Sequence, residues 1–153
     1  MPVAANLSRI TTVLRGSRPG VYAAGDVTNR DTFVYMAAHG AKIAVHNALN
    51  GDESTYDNRA MPWVVFTDPQ VAGVGLTEAT GRAAGHQVKT STVNLDQVPR
   101  ALAARDMRGL IKLVVDARTD VLLGGQILVP EGADSIQTLA LAIKHGMTAK
   151  ALA

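Results

Sequence analysis

Leu110-Ile111-Lys112-Leu113-Val114-Val115 and Val121-Leu122-Leu123-Gly124-Gly125-Gln126-Ile127-Leu128-Val129 decide the fold. Both are short, rich in β-branched and aliphatic residues, and separated by Asp116 to Asp120, so they read as two strands joined by a hairpin-like connection. Gly124-Gly125 inside the second strand predicts a bulge or a close approach by another backbone. Beyond Val129 the period changes. Ile136, Leu139, Ala140 and Ile143 share one face of a helix over 132–146, with Gly146 at its end. Leu141 lies off that face and predicts a second buried side. Upstream, Trp63-Val64-Val65-Phe66 and Val71 to Leu76 are strand signals, broken apart by Asp68-Pro69. Val88 to Leu95 is a more polar strand, suited to a sheet edge or a solvated face. Thr77-Glu78 opens a short helix to about Ala84, with Thr80 completing part of a capping box. Together these predict an α+β architecture, an antiparallel sheet with helices on one side.

Further toward the amino terminus the pattern differs. Residues 52–61 are polar and form the best linker candidate. Before them, residues 32–49 read as a helix whose start Asp31 or Thr32 can cap and which Asn50-Gly51 ends. Ala37, Ala41, Ala44 and Ala48 make a stripe of small side chains on it, with Tyr35, His39, Lys42 and His46 opposite. Val21-Tyr22-Ala23-Ala24 is a short buried-strand candidate after the turn at Gly16 to Gly20. It stops at Gly25-Asp26.

The composition bounds the function. The chain has 153 residues, 47% hydrophobic and 18% charged, with a net charge of +2, which is globular rather than disordered. Basic residues are scattered and not interleaved with aromatics, so nucleic acid is not an expected partner. No cysteine is present, which removes disulfides, thiolate metal sites and cysteine catalysis from this chain and fits a reducing cytoplasm. No apolar run reaches the ~18 residues of a membrane span. No Gly-x-Ser-x-Gly elbow or Walker loop occurs. His39 and His46 are two helical turns apart, ~10 Å of rise, too far to share one ion. Met107 and Met147 read as core filling. Asp96, Arg100 and Arg105 form a charged group around Pro99, for which a solvated loop is one of two readings, the other being a segment near an interface between subunits. No metal site and no catalytic residue are assigned.

One segment carries a chemical possibility. At Gly25-Asp26 a strand ends on a glycine and a carboxylate, and a helix amino terminus follows with unpaired amides and a partial positive charge. Asp26 could accept hydrogen bonds from sugar-like hydroxyls. The amides near Phe33 and Val34 could stabilise negative charge on a bound ring. From spacing alone, an Asp that merely ends a strand is the better account.

The motifs taken in order add to that. Arg18-Pro19-Gly20 before Tyr22-Ala23-Ala24-Gly25-Asp26 resembles the second flavin-binding motif of pyridine nucleotide-disulfide oxidoreductases. Phe33-Val34-Tyr35, Ala60-Met61-Pro62, Val64-Val65-Phe66-Thr67-Asp68-Pro69-Gln70-Val71-Ala72 and Val74-Gly75-Leu76-Thr77-Glu78 follow in the order of that family. So do Val98-Pro99-Arg100-Ala101-Leu102-Ala103, Arg108-Gly109-Leu110-Ile111-Lys112-Leu113-Val114, and Ile136-Gln137-Thr138 to Met147-Thr148. The similarity runs from about residue 18 to the end. It implies a two-fold dimer in which electrons pass from NADPH through FAD to a cysteine pair and, in the Hg(II)-reducing members, on to the metal ion. It implies that Gly25 and Asp26 meet the flavin ribityl chain and that Phe33 and Val34 open a helix facing the flavin's pyrimidine end. Residues 1–57 become a partial FAD-binding segment, a strand–helix remnant with its linker. Residues 58–153 become a dimerisation domain, self-associating through its sheet and the helix at 132–146. The family's first Gly-rich FAD motif, its cysteine pair and its NADPH-binding motif have no counterpart, and the chain stops before the family's last helices. The expectation is therefore an incomplete reductase with part of an FAD site and no NADPH site, inactive alone. It would act as a homodimer or pair with a full-length reductase subunit, unless it is a non-functional remnant.

Overall fold

The computed structural model describes residues 10–153. The chain forms two compact units, one extending to Asn58 and one spanning Arg59–Ala153. The amino-terminal nine residues of the predicted 1–57 segment lie outside the described residues.

The carboxyl-terminal unit is built on a five-stranded sheet in the order β1-β2-β5-β4-β3, comprising β1 (Trp63–Val65), β2 (Gln70–Gly75), β3 (Val88–Asn94), β4 (Leu110–Asp116) and β5 (Leu122–Val129). Every pairing is antiparallel. The register places Ala72 and Ile111 on either side of Ile127, and Val74 and Leu113 on either side of Gly125. Alternation then puts this row on one face. Helix α4 (Gly132–Lys144) covers that face with Ile136, Leu139 and Ala140, which join Ala72, Val74, Ile127 and Val129 in the apolar core. A side chain on Gly125 would collide with Leu139, so the glycine is what lets α4 settle against β5. A side chain on Gly124 would collide with the Leu76 carbonyl, which gives the close approach predicted there; the register shift falls opposite, between Val114 and Val115.

Three short helices complete the unit. Helix α2 (Glu78–Ala83) starts from a complete capping box: Thr77 accepts from the Thr80 amide and Thr80 from the Thr77 amide. It tucks in at the sheet margin, where Glu78 meets Lys112 at 2.8 Å. Helix α3 (Pro99–Ala104) forms where a solvated loop was one of the two readings, because proline fits a first turn and Arg105, at φ 56°, closes the helix. Helix α5 (Ala149–Leu152) is capped by the Thr148 side chain. Strand β3 is the exposed, polar edge that its composition predicted. Two expectations fail here. Met107 is 47% exposed and fills no core, and Leu141, 58% exposed, buries no second side of α4 within this unit. Met147 does pack against the core.

The amino-terminal unit centres on α1 (Val34–Asn50), which buries Met36, Gly40, Ala44 and Asn47. Of the alanine stripe only Ala44 is buried; Ala41 and Ala48 face solvent. The buried face is turned so that Gly40 receives Ala24 and Tyr56, and Asn47 sits where its amide finds partners. Ala44 packs with Ile10 and Leu14, and Tyr22, Ala23, Ala24, Ile43 and Tyr56 surround them. The strand expected over Val21–Ala24 shortens to one bridge between Arg15 and Tyr22, flanked by the Gly16 amide on the Val21 carbonyl and the Ala23 amide on the Leu14 carbonyl.

The polar stretch after Gly51 is no free linker. Asn47, 1% exposed, donates from Nδ2 to the carbonyls of Val13 and Ser54 and accepts from the Ser54 amide. Tyr22 donates its hydroxyl to Asp52 at 2.7 Å, and the Tyr56 amide bonds the Thr12 carbonyl, also at 2.7 Å. Residues 52–58 therefore run back over the unit as a strap.

Candidate functional site

Gly25 lies at φ 78°, the left-handed region that favours glycine. A Cβ there would stand 3.1 Å from that of Ala37, in the first turn of α1, so the missing side chain lets the turn lie against the helix. Asp26 then opens a single 3₁₀ turn, Asp26–Thr28. Thr28 ties it back, donating both its hydroxyl (2.7 Å) and its amide (2.9 Å) to the Gly25 carbonyl. The Asp26 side chain is exposed, and among the described residues nothing hydrogen-bonds its carboxylate. It is an open acceptor at the rim of the turn.

The chain reaches α1 through two left-handed residues, Asn29 (φ 55°) and Asp31 (φ 43°). The Phe33 amide donates to the Asp31 carbonyl at 2.7 Å, and the Ala37 amide begins the helical ladder on the Phe33 carbonyl. Phe33, in extended conformation, is the N-cap. That corrects the expected cap at Asp31 or Thr32. The Asp31 carboxylate is engaged instead by the strap, accepting from the Tyr56 hydroxyl at 3.0 Å and from Asn58 Nδ2 at 2.7 Å. Burial, and then the bond to Asp31, push the Tyr56 hydroxyl up to about 12. Val34 is 85% exposed, and the Phe33 ring stacks on Tyr35 with centroids 5.6 Å apart.

The fold thus brings Gly25 against the first turn of α1, the helix that Phe33 caps and Val34 opens, and leaves Asp26 as an open carboxylate on the same turn. Sequence reading did not find that Asp31, Tyr56 and Asn58 meet. The available signal was an aspartate, a tyrosine and an asparagine on either side of the helix, with no spacing to link them.

The carboxyl-terminal unit holds charged clusters with structural roles. Asp116, 4% exposed, accepts from His86 Nδ1 at 3.0 Å and from the amides of Arg118 and Thr119. The His86 bond, and then the Arg118 amide, hold its carboxyl below the usual range. Arg108 bridges Asp106 and Asp68, and its hydrogen bonds hold Asp106 at about 2. A groove of about 340 Å³ runs between α3 and the start of α4, floored by Leu95, Val98, Ala101, Ile111 and Val129. Among the described residues no cluster of three or more His, Asp or Glu side chains is placed to hold a metal, and no helix is long and apolar enough to cross a membrane.

This arrangement, a five-stranded antiparallel sheet under one long helix and preceded by a Gly-Asp turn on a helix start, has a known counterpart. Residues 61–153 match the dimerisation domain of the pyridine nucleotide-disulphide oxidoreductases, and the chain belongs to that family. Within it, the chain is similar to mercuric reductases. Those of Shigella flexneri and Acidithiobacillus ferrooxidans are 48% and 46% identical over 140 residues, which is 92% of this chain. The chain spans about a quarter of their length, 25% in each case. Two solved structures share the fold at 28% identity. LpdA from Mycobacterium tuberculosis superposes with a TM-score of 0.80 over 94% of this chain and 31% of its own. The HOCl-induced flavoprotein disulfide reductase RclA from Escherichia coli does so at 0.75 over 92% and 32%.

Proposed function

We propose that this chain is the flavin-contacting and dimer-forming part of a reductase of the mercuric reductase type. The observation that carries the reading is the Gly25-Asp26 turn, seated on α1 by the absence of a Gly25 side chain and leaving a carboxylate that nothing among the described residues hydrogen-bonds. Asp26 accepts from ribityl hydroxyls. The α1 amino terminus at Phe33 and Val34 presents positive potential to the electron-rich end of the flavin ring. When bound, FAD would relay electrons from NADPH to a thiol pair. No cysteine lies in this chain, so the thiols and the NADPH site come from outside these residues, and the chain alone does not consume NADPH. Dimerisation falls to the Arg59–Ala153 unit. Its exposed Leu141 on the outer side of α4 offers an apolar contact for a two-fold partner, whether a second copy or a full-length reductase subunit.

The test is to mix the purified chain with FAD, desalt it and record the visible spectrum. Retained flavin absorbance that disappears in Asp26→Ala is the expected result. A colourless wild-type protein defeats the flavin assignment, and Hg(II)-dependent NADPH consumption by the pure chain defeats the assignment of the redox groups elsewhere.

A further inference from the structure

Three residues before α1, the chain makes a turn that its backbone does not favour. Asp31 sits at φ 43°, in the left-handed region that non-glycine residues seldom adopt. Something must hold it there, and the strap supplies it. Tyr56 crosses α1 at its second turn. One edge of its ring lies 3.5 Å from where a Gly40 side chain would begin, and its face is tilted against His39 with centroids 5.5 Å apart. From that seat its hydroxyl reaches the Asp31 Oδ2 atom, which Asn58 also engages. The carboxylate so held belongs to the residue whose carbonyl takes the Phe33 amide, and Phe33 carries the first helical bond of α1. The path from Tyr56 to the helix start is therefore two hydrogen bonds long.

We propose that Tyr56, with Asn58, is a positioning residue that acts through Asp31 to set the start of α1. Resting on the flavin reading above, this makes the strap the element that presents the α1 amides and the Gly25-Asp26 turn to the cofactor. Tyr56 touches no ligand itself. Its role is to keep the amide end of α1 in one orientation before anything binds, and preorganised dipoles of this kind do not have to be ordered at the moment of binding.

Tyr56→Phe removes the hydroxyl and leaves the ring in its seat, so the unit stays folded. Amide exchange in a ¹⁵N-labelled full chain without flavin is read first. Loss of one ordinary hydrogen bond predicts exchange about fivefold faster at Phe33 and Ala37, with Gly51 at the far end of α1 unchanged. FAD affinity, followed by flavin fluorescence, falls by a similar factor. Both effects vanish when Tyr56→Phe is made in an Asp31→Ala background, because the partner is already gone. Unchanged exchange at Phe33 and Ala37 overturns the proposal, and so does an equal loss in the Asp31→Ala background. A wild-type chain that takes up no FAD overturns the flavin reading instead, and the exchange comparison then decides the role of Tyr56 by itself.

Discussion

The two units of this chain are held together by different means. In the Arg59–Ala153 unit, a sheet face and a helix face meet over a continuous layer of Ala, Val, Leu and Ile. In the unit that ends at Asn58, the apolar cluster is small, with Ile10, Leu14 and Ala44 at its centre, and single polar atoms do much of the fastening. Asn47 ties three segments, Asp52 takes Tyr22 and Arg15, and Asp31 takes Tyr56 and Asn58. An apolar layer shares its stabilisation over many contacts. A polar pin concentrates it in one group, and the loss of that group strands its partners without water. The first arrangement suits a surface that must be stiff enough to pair with another subunit. The second suits a short segment that must place a few backbone amides.

Ile136 tests the apolar side of the comparison most severely. It is 0% exposed beneath the sheet, so Ile136→Ala is expected to cost about 2–5 kcal/mol through lost burial and the cavity left behind. Trp63, the single tryptophan, lies in β1 and reports this unit. Its fluorescence should show a clearly lower urea midpoint. A midpoint equal to that of the wild-type chain would mean that α4 is not what closes the core.

Asn47→Ala tests the polar side. It strips the Ser54 amide and the carbonyls of Val13 and Ser54 of their partner, and each stranded group costs about 1–3 kcal/mol. The expected damage is local: faster exchange at the Tyr56 and Gly51 amides, with the Trp63 transition unmoved. A Trp63 transition displaced as far as by Ile136→Ala would show that the two units unfold together, and the contrast between them would lose its meaning.

The same contrast explains what was legible in the sequence. Apolar packing has a period, so β4, β5, α4 and the edge character of β3 could be read directly, and the alternation even singled out Gly124-Gly125 as a place of close approach. Polar pins have none. Nothing in the spacing of Asn47, Asp31 and Tyr56 announces that they meet, and so residues 52–58 read as a linker when they are a strap. The alanine stripe misled for a related reason. Small residues mark where a neighbour can come close, but which of them is covered was decided by Asn47 and Gly40 on the adjoining face. Helix α3 was missed because attention went to the charges of Asp96, Arg100 and Arg105, and its one start signal, Pro99 at a first turn, has no apolar period behind it. Gly25, Asp26, Phe33 and Val34 stood out through the order of motifs around them. Leu141 was marked as lying off the main face of α4, and only the structure shows that its own unit leaves it uncovered.

One polar pin lies within the apolar unit and gives the mildest test. The Asp116 carboxyl is held below its usual range first by His86 and then by the Arg118 amide. A carboxyl whose folded value is lowered contributes stability that is complete above its unfolded value of about 3.9 and is lost as pH falls through the lower folded value. His86→Ala removes the largest cause. The folded value of Asp116 then rises toward the ordinary one, and the acid loss of structure should begin at higher pH than in the wild-type chain. At neutral pH the change stays small, because the Arg118 and Thr119 amides keep the carboxylate engaged. Acid titrations followed by Trp63 fluorescence decide it. Superimposable curves would mean that the backbone amides alone hold Asp116, and that even this buried charge belongs to the hairpin rather than to a bond across the sheet edge.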